Sequence, residues 1–262
     1  MMDDNYRKPV PREQKLGWMR DADVARLHQG VAALLPLGSL EPHAHLPLAA
    51  DTLIAGAILG RIAALTADTL LFPAIPVGHL FKYAAWPGAL GVSHRVLSGL
   101  ILDLCRGLNR MGVSRLLVMS GHDENREPAL EALREAHVDT GLLSVYCHWL
   151  ELAFPEVLQI SESRREGHAS EIQTSVFLYL FPQAPVDLPP TALRAAGPPP
   201  PGADDLFASG EQGLWVRAPA RHQGPPYIGD PGRATPEKGR IIVEAVVRRA
   251  RDIIAHLLAP QK

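Results

Sequence analysis

Short apolar runs alternate with longer segments of helical spacing through the first half of the chain, and this alternation constrains the fold more than any other feature. The runs have the length and composition of strands buried in a sheet. Strands that alternate with helices favour a mostly parallel sheet. We therefore predict an α/β fold, a single three-layer domain whose sheet is covered by helices on both faces. The predicted strands are 31–37, 70–77, 116–119 and 142–146, and the predicted helices are 52–65, 94–111, 127–137, 168–180 and 236–258.

The length and composition of the chain are those of an ordinary globular protein. Its 262 residues, 47% of them hydrophobic and 21% charged, suffice for one core. We therefore predict one domain over residues 1–262. Residues 184–205 are rich in proline and have few large apolar side chains, which predicts a surface loop within that domain.

Charge, targeting signals and cysteines indicate which partners and which cellular location to expect for this chain. The formal net charge is −2, which gives no reason to expect a nucleic acid or an anionic membrane as partner. The N-terminus is polar, and no window approaches the roughly 20 uncharged residues of a membrane span. Cys105 and Cys147 lie in apolar segments and are predicted to be buried free thiols. We expect a cytoplasmic protein.

Acidic and imidazole side chains follow two of the predicted strands. Glu41 and His43 come after the first strand, Asp51 precedes the next helix, and His122 and Glu124 come after strand 116–119. Ligands bind beyond the carboxyl ends of strands in such sheets, so these groups can converge. Each pair alone is more often a hydrogen-bonded loop pair than a pair of ligands. Together the five residues suit two divalent ions, zinc, manganese or iron, with one carboxylate bridging them.

A third cluster begins the predicted helix 168–180. His168 and Glu171 lie three residues apart there, and by themselves they could be a simple helix-end pair. An imidazole outside the ligand set has a reference pKa near neutrality, which suits proton transfer. His168 could therefore move a proton beside Glu171, but this segment alone does not assign that role.

Four ordered motifs resemble those of the creatininase (creatinine amidohydrolase) family, and the resemblance extends from about residue 31 to the last helix. The middle loop Trp86-Pro87-Gly88 is also similar. The four motifs are residues 37–51 (Leu-Gly-Ser-Leu-Glu-Pro-His-Ala-His-Leu-Pro-Leu-Ala-Ala-Asp), 120–125 (Ser-Gly-His-Asp-Glu-Asn), 167–175 (Gly-His-Ala-Ser-Glu-Ile-Gln-Thr-Ser) and 229–239 (Gly-Asp-Pro, then Ala-Thr-Pro-Glu-Lys-Gly).

The resemblance implies an α/β metal-dependent amidohydrolase that opens small cyclic amides or related C–N bonds, commonly as a homohexamer. Peptide-cleaving and deformylating enzymes also belong to this family. By the matching motifs, Glu41, Asp51 and His122 would bind one metal ion. His43, Asp51 and Glu124 would bind the other, with Asp51 bridging. His168 matches the residue that transfers a proton to the leaving nitrogen.

Several positions depart from the family pattern. Gln173 replaces a glutamate of the third motif, Gly167 replaces a carboxylate beside the catalytic histidine, and Asp123 replaces an aromatic residue. The first motif is also one residue shorter between Glu41 and the aspartate. These departures argue against creatinine itself as the substrate. The presence of Glu124 argues for an intact two-metal site.

The predicted reaction is hydrolysis of a small-molecule substrate by a hydroxide that bridges two divalent metals. His168 would protonate the leaving group, and Glu171 would orient His168 or contact the substrate. One alternative is a hydrolase of a cyclic ketone or lactone-like ring, acting on a C–C or ester-type bond. Another is a non-catalytic, metal-stabilised assembly subunit, against which the presence of His168 counts.

Overall fold

A four-stranded parallel sheet forms the centre of the molecule. The computed structural model describes residues 8–27, 30–190 and 226–260. The strands are β1 (Ala32–Leu37), β2 (Thr69–Leu71), β3 (Arg115–Ser120) and β4 (Leu143–His148), in the order β2-β1-β3-β4. Every neighbouring pair is parallel. Of the predicted strand 70–77, only Leu70 and Leu71 lie in β2, because Pro73 and Pro76 interrupt the ladder.

Helices cover both faces of the sheet, which confirms the predicted three-layer α/β architecture. On β1, Leu34 packs against one layer, whereas Ala33 and Leu35 pack against the other. The first layer contains α2 (Ala50–Leu65), α5 (Trp149–Leu152), α6 (Phe154–Ile160), α7 (Glu171–Leu180) and α8 (Pro236–Leu258). The second contains α3 (His94–Arg110) and α4 (Arg126–Thr140), and a short α1 (Asp21–Val24) precedes the sheet.

The ends of the helices follow ordinary capping chemistry. The side chain of Ser93 accepts the backbone N–H of Val96 at the start of α3, and Thr235 does the same for Lys238 at the start of α8. Gly141 ends α4 with a φ of 73°, a conformation that suits glycine. Helix α8 has the predicted bounds, 236–258. Helix α7 starts at Glu171, three residues later than predicted, so His168 lies outside the helix.

The cysteines and the apolar segments also behave as expected within the described residues. Cys105 and Cys147 are buried free thiols. No helix in ranges 8–27, 30–190 and 226–260 combines the length and apolar character needed to cross a bilayer. The proline-rich segment 184–205 is described only as far as residue 190, and residues 184–190 contain no helix or strand. Its remainder lies outside the described residues.

Close backbone packing brings the ends of β1 and β3 against the start of α2. A Cβ on Gly38 would lie 2.2 Å from Oγ1 of Thr52, and a Cβ on Gly121 would lie 2.3 Å from the carbonyl oxygen of Asp51. Only glycine permits such approaches. The loops that follow two neighbouring strands therefore meet the first turn of α2, and this is where the predicted ligands lie.

Candidate metal centre

Asp51 lies at the centre of a buried polar cluster, in the first turn of α2. Its Oδ2 accepts the hydroxyl of Ser39 at 2.8 Å. Its Oδ1 lies 3.1 Å from Nε2 of His43, and Oδ2 lies 3.4 Å from Nδ1 of His122. Each carboxylate oxygen of Asp51 therefore faces one imidazole nitrogen. This arrangement allows one carboxylate to serve two ions.

Backbone carbonyls fix the orientation of both imidazoles. Nδ1 of His43 donates to the carbonyl of Glu41 at 2.9 Å, and Nε2 of His122 donates to the carbonyl of His79 at 2.8 Å. The other nitrogen of each ring therefore faces Asp51, where it can bind either a proton or a metal ion. Histidines that bind metals are usually held in this way, by a hydrogen bond from the nitrogen remote from the ion.

Glu41 supplies a buried carboxylate that protein donors do not satisfy. Its side chain is fully buried, Oε1 lies 2.7 Å from Nδ1 of His122, and Oε2 has no hydrogen-bond partner within the described part of the chain. An unsatisfied buried carboxylate oxygen costs free energy unless a cation or a solvent molecule compensates it. Ligand atoms of Glu41, Asp51 and His122 lie within 4.8 Å of one another, so these residues fit a metal ion.

The electrostatics of the cluster favour positive charge. Burial by itself would lower the pKa of His122, but the carboxylates of Glu41 and Asp51 raise that pKa well above its ordinary value. Burial likewise would raise the pKa of Asp51, but His43 and His122 bring it well below its usual range. Positive charge between these side chains is therefore stabilised, whether protons or divalent cations supply it.

Glu124, the fifth predicted ligand, is held at the wall of the site. Its carboxylate accepts the backbone N–H groups of Phe81 at 2.7 Å and Lys82 at 3.0 Å, and Oε2 lies 3.7 Å from Nε2 of His122. Among the described residues it belongs to neither close group of candidate ligands, which are Glu41, Asp51 and His122, and Glu41, His43 and His168. The structure thus brings Glu41, His43, Asp51 and His122 together, with Glu124 beside them.

His168 lies against the same cluster. Its Nε2 donates to the carbonyl of Pro42 at 2.6 Å, so the lone pair is on Nδ1, which lies 3.6 Å from Oε1 of Glu41. The ring stacks between those of His43 and Tyr83, with centroids 4.3 Å away on each side. Burial and the neighbouring His43 lower the pKa of His168. The ring is therefore a neutral imidazole that can accept a proton at Nδ1.

The structure corrects the expectation for Glu171, which neither orients His168 nor reaches the pocket. Its fully buried carboxylate accepts the backbone N–H groups of Glu162 and Ser163 and the ammonium of Lys238 at 2.6 Å. The physical reason is local. Residues 168–170 form a turn and α7 begins only at Glu171, so the two side chains do not share a helical face.

Three residues of the site were not predicted from the sequence as contacts. Gln173 donates from Nε2 to Oδ1 of Asp51 at 2.6 Å, Ser39 binds the other oxygen, and Tyr83 stacks on His168. In the sequence, Gln173 stood out only as a departure from the family motif. Ser39 offered only a weak indication, a hydroxyl group two residues after a strand. Nothing in the sequence indicated Tyr83, because a long loop between β2 and α3 carries it to the site.

A cavity of about 260 Å³ opens above the cluster. Its volume suits a small molecule, or part of a larger one. Ionisable groups from three further parts of the chain line its walls. They are Lys82 from the loop before α3, Asp123 after β3, and His148 and Glu151 at the end of β4 and in α5.

Comparisons with known proteins agree with this geometry. The family model Creatininase, described as creatinine amidohydrolase, matches residues 18–254. Creatinine amidohydrolase of Pseudomonas putida is 29% identical over 90% of this chain and 94% of its own length. The mycofactocin precursor peptide peptidase of Mycolicibacterium smegmatis is also 29% identical, over 60% of this chain and 61% of its own length.

Solved structures of creatininase share the fold. A crystal structure of creatinine amidohydrolase aligns with a TM-score of 0.78 and 23% identity, over 97% of this chain and 100% of the other. Similar structures include a manganese form (TM-score 0.74, 24% identity, 94% and 99% of the two chains) and a mutant in a Zn–Zn form (0.76, 22%, 94% and 98%). The family model covers most of the chain, and the chain therefore belongs to the creatininase family of hydrolases.

Proposed function

We propose that this protein is an amidohydrolase that uses two divalent metal ions to cleave a C–N bond of a small cyclic amide or a related substrate. The observation that carries the proposal is the position of Asp51, whose two carboxylate oxygens each face an imidazole nitrogen. Carboxylates and imidazoles buried this close together stabilise positive charge between them, and divalent cations would supply that charge.

The grouping of Glu41, Asp51 and His122 supports a first ion, and Asp51 would be shared with a second. Glu41, Asp51 and His122 would hold one of them, and His43, Asp51 and Glu124 would hold the other. The solved relatives in manganese and Zn–Zn forms support these metals, and the mixed oxygen and nitrogen ligands also admit iron. When bound, two such ions would supply Lewis acidity that polarises a carbonyl group and activates water near neutral pH.

His168 would move the proton of the reaction. A neutral imidazole can accept a proton at Nδ1 and then donate it to the leaving nitrogen. The carbonyl of Pro42 fixes the ring through Nε2, and Tyr83 covers its face. This packing holds Nδ1 of His168 toward Glu41 in the lining of the cavity and limits the access of solvent to the ring.

The cavity supports a small polar substrate. Lys82 supplies a positive group, and Asp123 and Glu151 supply negative ones, so a substrate with both donors and acceptors would be complemented. Asp123 and Gln173 give this lining a polarity that also motivates a second candidate, hydrolysis of a cyclic ketone or lactone-like ring. Parallel assays on a panel of lactams and cyclic amides and a panel of cyclic ketones and lactones separate the two. Turnover of amides alone eliminates the second candidate.

Metal analysis and kinetics together test the proposal. We expect two bound ions per chain in the wild type and fewer in Glu124→Gln. We expect His168→Asn to retain the ions and to lose about 100-fold or more in kcat. His256→Asn is a matched control, because His256 is exposed near the end of α8 and bonds only within its own helix. A metal-loaded wild type without turnover of any panel member would refute the hydrolase and support an assembly subunit.

A further inference from the structure

Gln173 connects the two functional parts of the site. From the first turn of α7, its Nε2 donates to Oδ1 of Asp51 at 2.6 Å, and its Oε1 accepts the backbone N–H of Ala169 at 2.6 Å. The side chain is 5% exposed. One amide group thus contacts both the central ligand and the turn that carries His168.

The orientation of this amide is determined by its neighbours. The N–H of Ala169 can only donate, so the oxygen of the amide must face it and the nitrogen must face Asp51. Ala169 has a φ of 47°, in the left-handed region that residues other than glycine seldom adopt. The bond from Ala169 to Gln173 compensates for part of the cost of that conformation and so stabilises the turn that positions His168.

The chemistry of an amide at this position differs from that of a carboxylate. An ionised glutamate could still accept the N–H of Ala169, but it could not donate to Asp51. It would instead place a second negative charge beside Oδ1. With glutamine, the cluster contains three carboxylates, those of Glu41, Asp51 and Glu124, and Asp51 receives a neutral donor.

We propose that Gln173 is a positioning residue that fixes the rotamer of Asp51 for metal binding and, through Ala169, the place of His168. The inference rests on the proposed function, since it requires that Asp51 is a metal ligand. Outer groups that orient metal ligands typically change metal affinity 10- to 100-fold when they are removed. Gln173 acts through Asp51 and Ala169, so its effects should appear in metal binding as well as in turnover.

Two substitutions separate the bonds of Gln173. Gln173→Leu has a similar volume and removes both bonds, whereas Gln173→Glu keeps an acceptor for Ala169 and removes only the donor to Asp51. Gln159→Glu is the matched control, because Gln159 is exposed on α6. The dissociation constants for Mn²⁺ and Zn²⁺ are measured by competition with a chelator, and Tm is measured with and without each metal.

We expect Gln173→Leu to weaken metal binding about 10-fold or more and to lower kcat with little change in KM, because His168 is no longer held. We expect Gln173→Glu to lower the Tm of the metal-free protein and to raise the gain in Tm on adding metal. The reason is that cations relieve the repulsion between the new carboxylate and Asp51. The two variants should therefore shift metal affinity in opposite directions.

Two results would overturn the inference: a dissociation constant for Gln173→Leu within twofold of the wild type, or shifts of the same sign in both variants. A residue that only stabilises the fold would lower Tm in both and leave metal affinity unchanged. A failure of the proposed function would give a different result, because the wild-type protein itself would then bind neither Mn²⁺ nor Zn²⁺.

Discussion

The ammonium of Lys238 lies 2.6 Å from Oε1 of Glu171 and so ties the start of α8 to the start of α7. Glu171 is fully buried, and the side chain of Lys238 is 14% exposed. Two backbone N–H groups of the 162–163 segment complete the environment of the carboxylate. Glu171 therefore links these segments and stabilises the fold around the site.

Loss of Lys238 should destabilise the protein because it leaves a buried carboxylate without its cation. We expect Lys238→Met to lower the free energy of unfolding by roughly 3 kcal/mol. Glu171→Gln added to it should restore part of that loss. Urea unfolding of the single and double variants measures the coupling, with Lys8→Met as an exposed control. A loss of kcat in Glu171→Gln at unchanged stability would instead return Glu171 to a catalytic role.

Removal of divalent cations should destabilise the folded protein through Asp51. Binding to the native state alone contributes about 4 kcal/mol when the free cation exceeds its dissociation constant about a thousandfold. We therefore expect a chelator to lower Tm and Mn²⁺ or Zn²⁺ to restore it. Asp51→Asn, which is isosteric, should abolish most of this response, whereas Asp252→Asn on the exposed face of α8 should keep it. Equal responses of the two variants would contradict the placement of Asp51 between the ions.

A methyl group at Gly121 should disturb the site through the backbone. A Cβ there would lie 2.3 Å from the carbonyl oxygen of Asp51, too close for any contact without movement of α2 or of the loop after β3. We expect Gly121→Ala to cost about 2–3 kcal/mol of stability and to weaken metal binding. Gly99→Ala is the control, since a Cβ on Gly99 in α3 meets nothing within 4 Å and should stabilise that helix slightly. Normal metal affinity in Gly121→Ala would contradict this role of the close approach.

The strands and most helices could be predicted because their signals are local. The apolar run that became β1 is buried along its whole length, whereas Pro73 and Pro76 make β2 shorter than the predicted strand 70–77. Glu41, His43, Asp51 and His122 could be predicted because they follow strands or begin a helix, and parallel strands bring such positions to one edge of the sheet.

The residues that the sequence did not reveal depend on tertiary packing or on turn conformation. Tyr83 stacks on His168 across a separation of 85 residues, a contact that no local pattern encodes. Glu171 was assigned to the site because His168 lies three residues before it, a spacing that gives a shared face only within a helix. Ala169 adopts a left-handed conformation instead, so helical periodicity does not apply there.

Glu166 is a buried acid whose protonation should make stability depend on pH. Its carboxyl group is fully buried and accepts the hydroxyl of Ser161 at 2.7 Å, the hydroxyl of Ser170 and the N–H of Ile172 at 3.3 Å. Burial, with a smaller contribution from the nearby Glu171, raises the pKa of Glu166 from 4.5 to about 7, although these hydrogen bonds oppose the rise. The native state therefore binds this proton more tightly than the unfolded chain does.

The sign of the effect follows from linkage. The stabilisation is complete below the unfolded pKa and is lost as pH rises through the folded pKa, for a total of about 3 kcal/mol. Glu166→Gln stays neutral at every pH, so its free energy of unfolding should lack this decline between pH 4.5 and 8. Urea unfolding across that range checks the expectation, with Glu127→Gln as an exposed control. Parallel stability curves for Glu166→Gln and the wild type would show that the carboxyl group ionises equally easily in the folded and unfolded states.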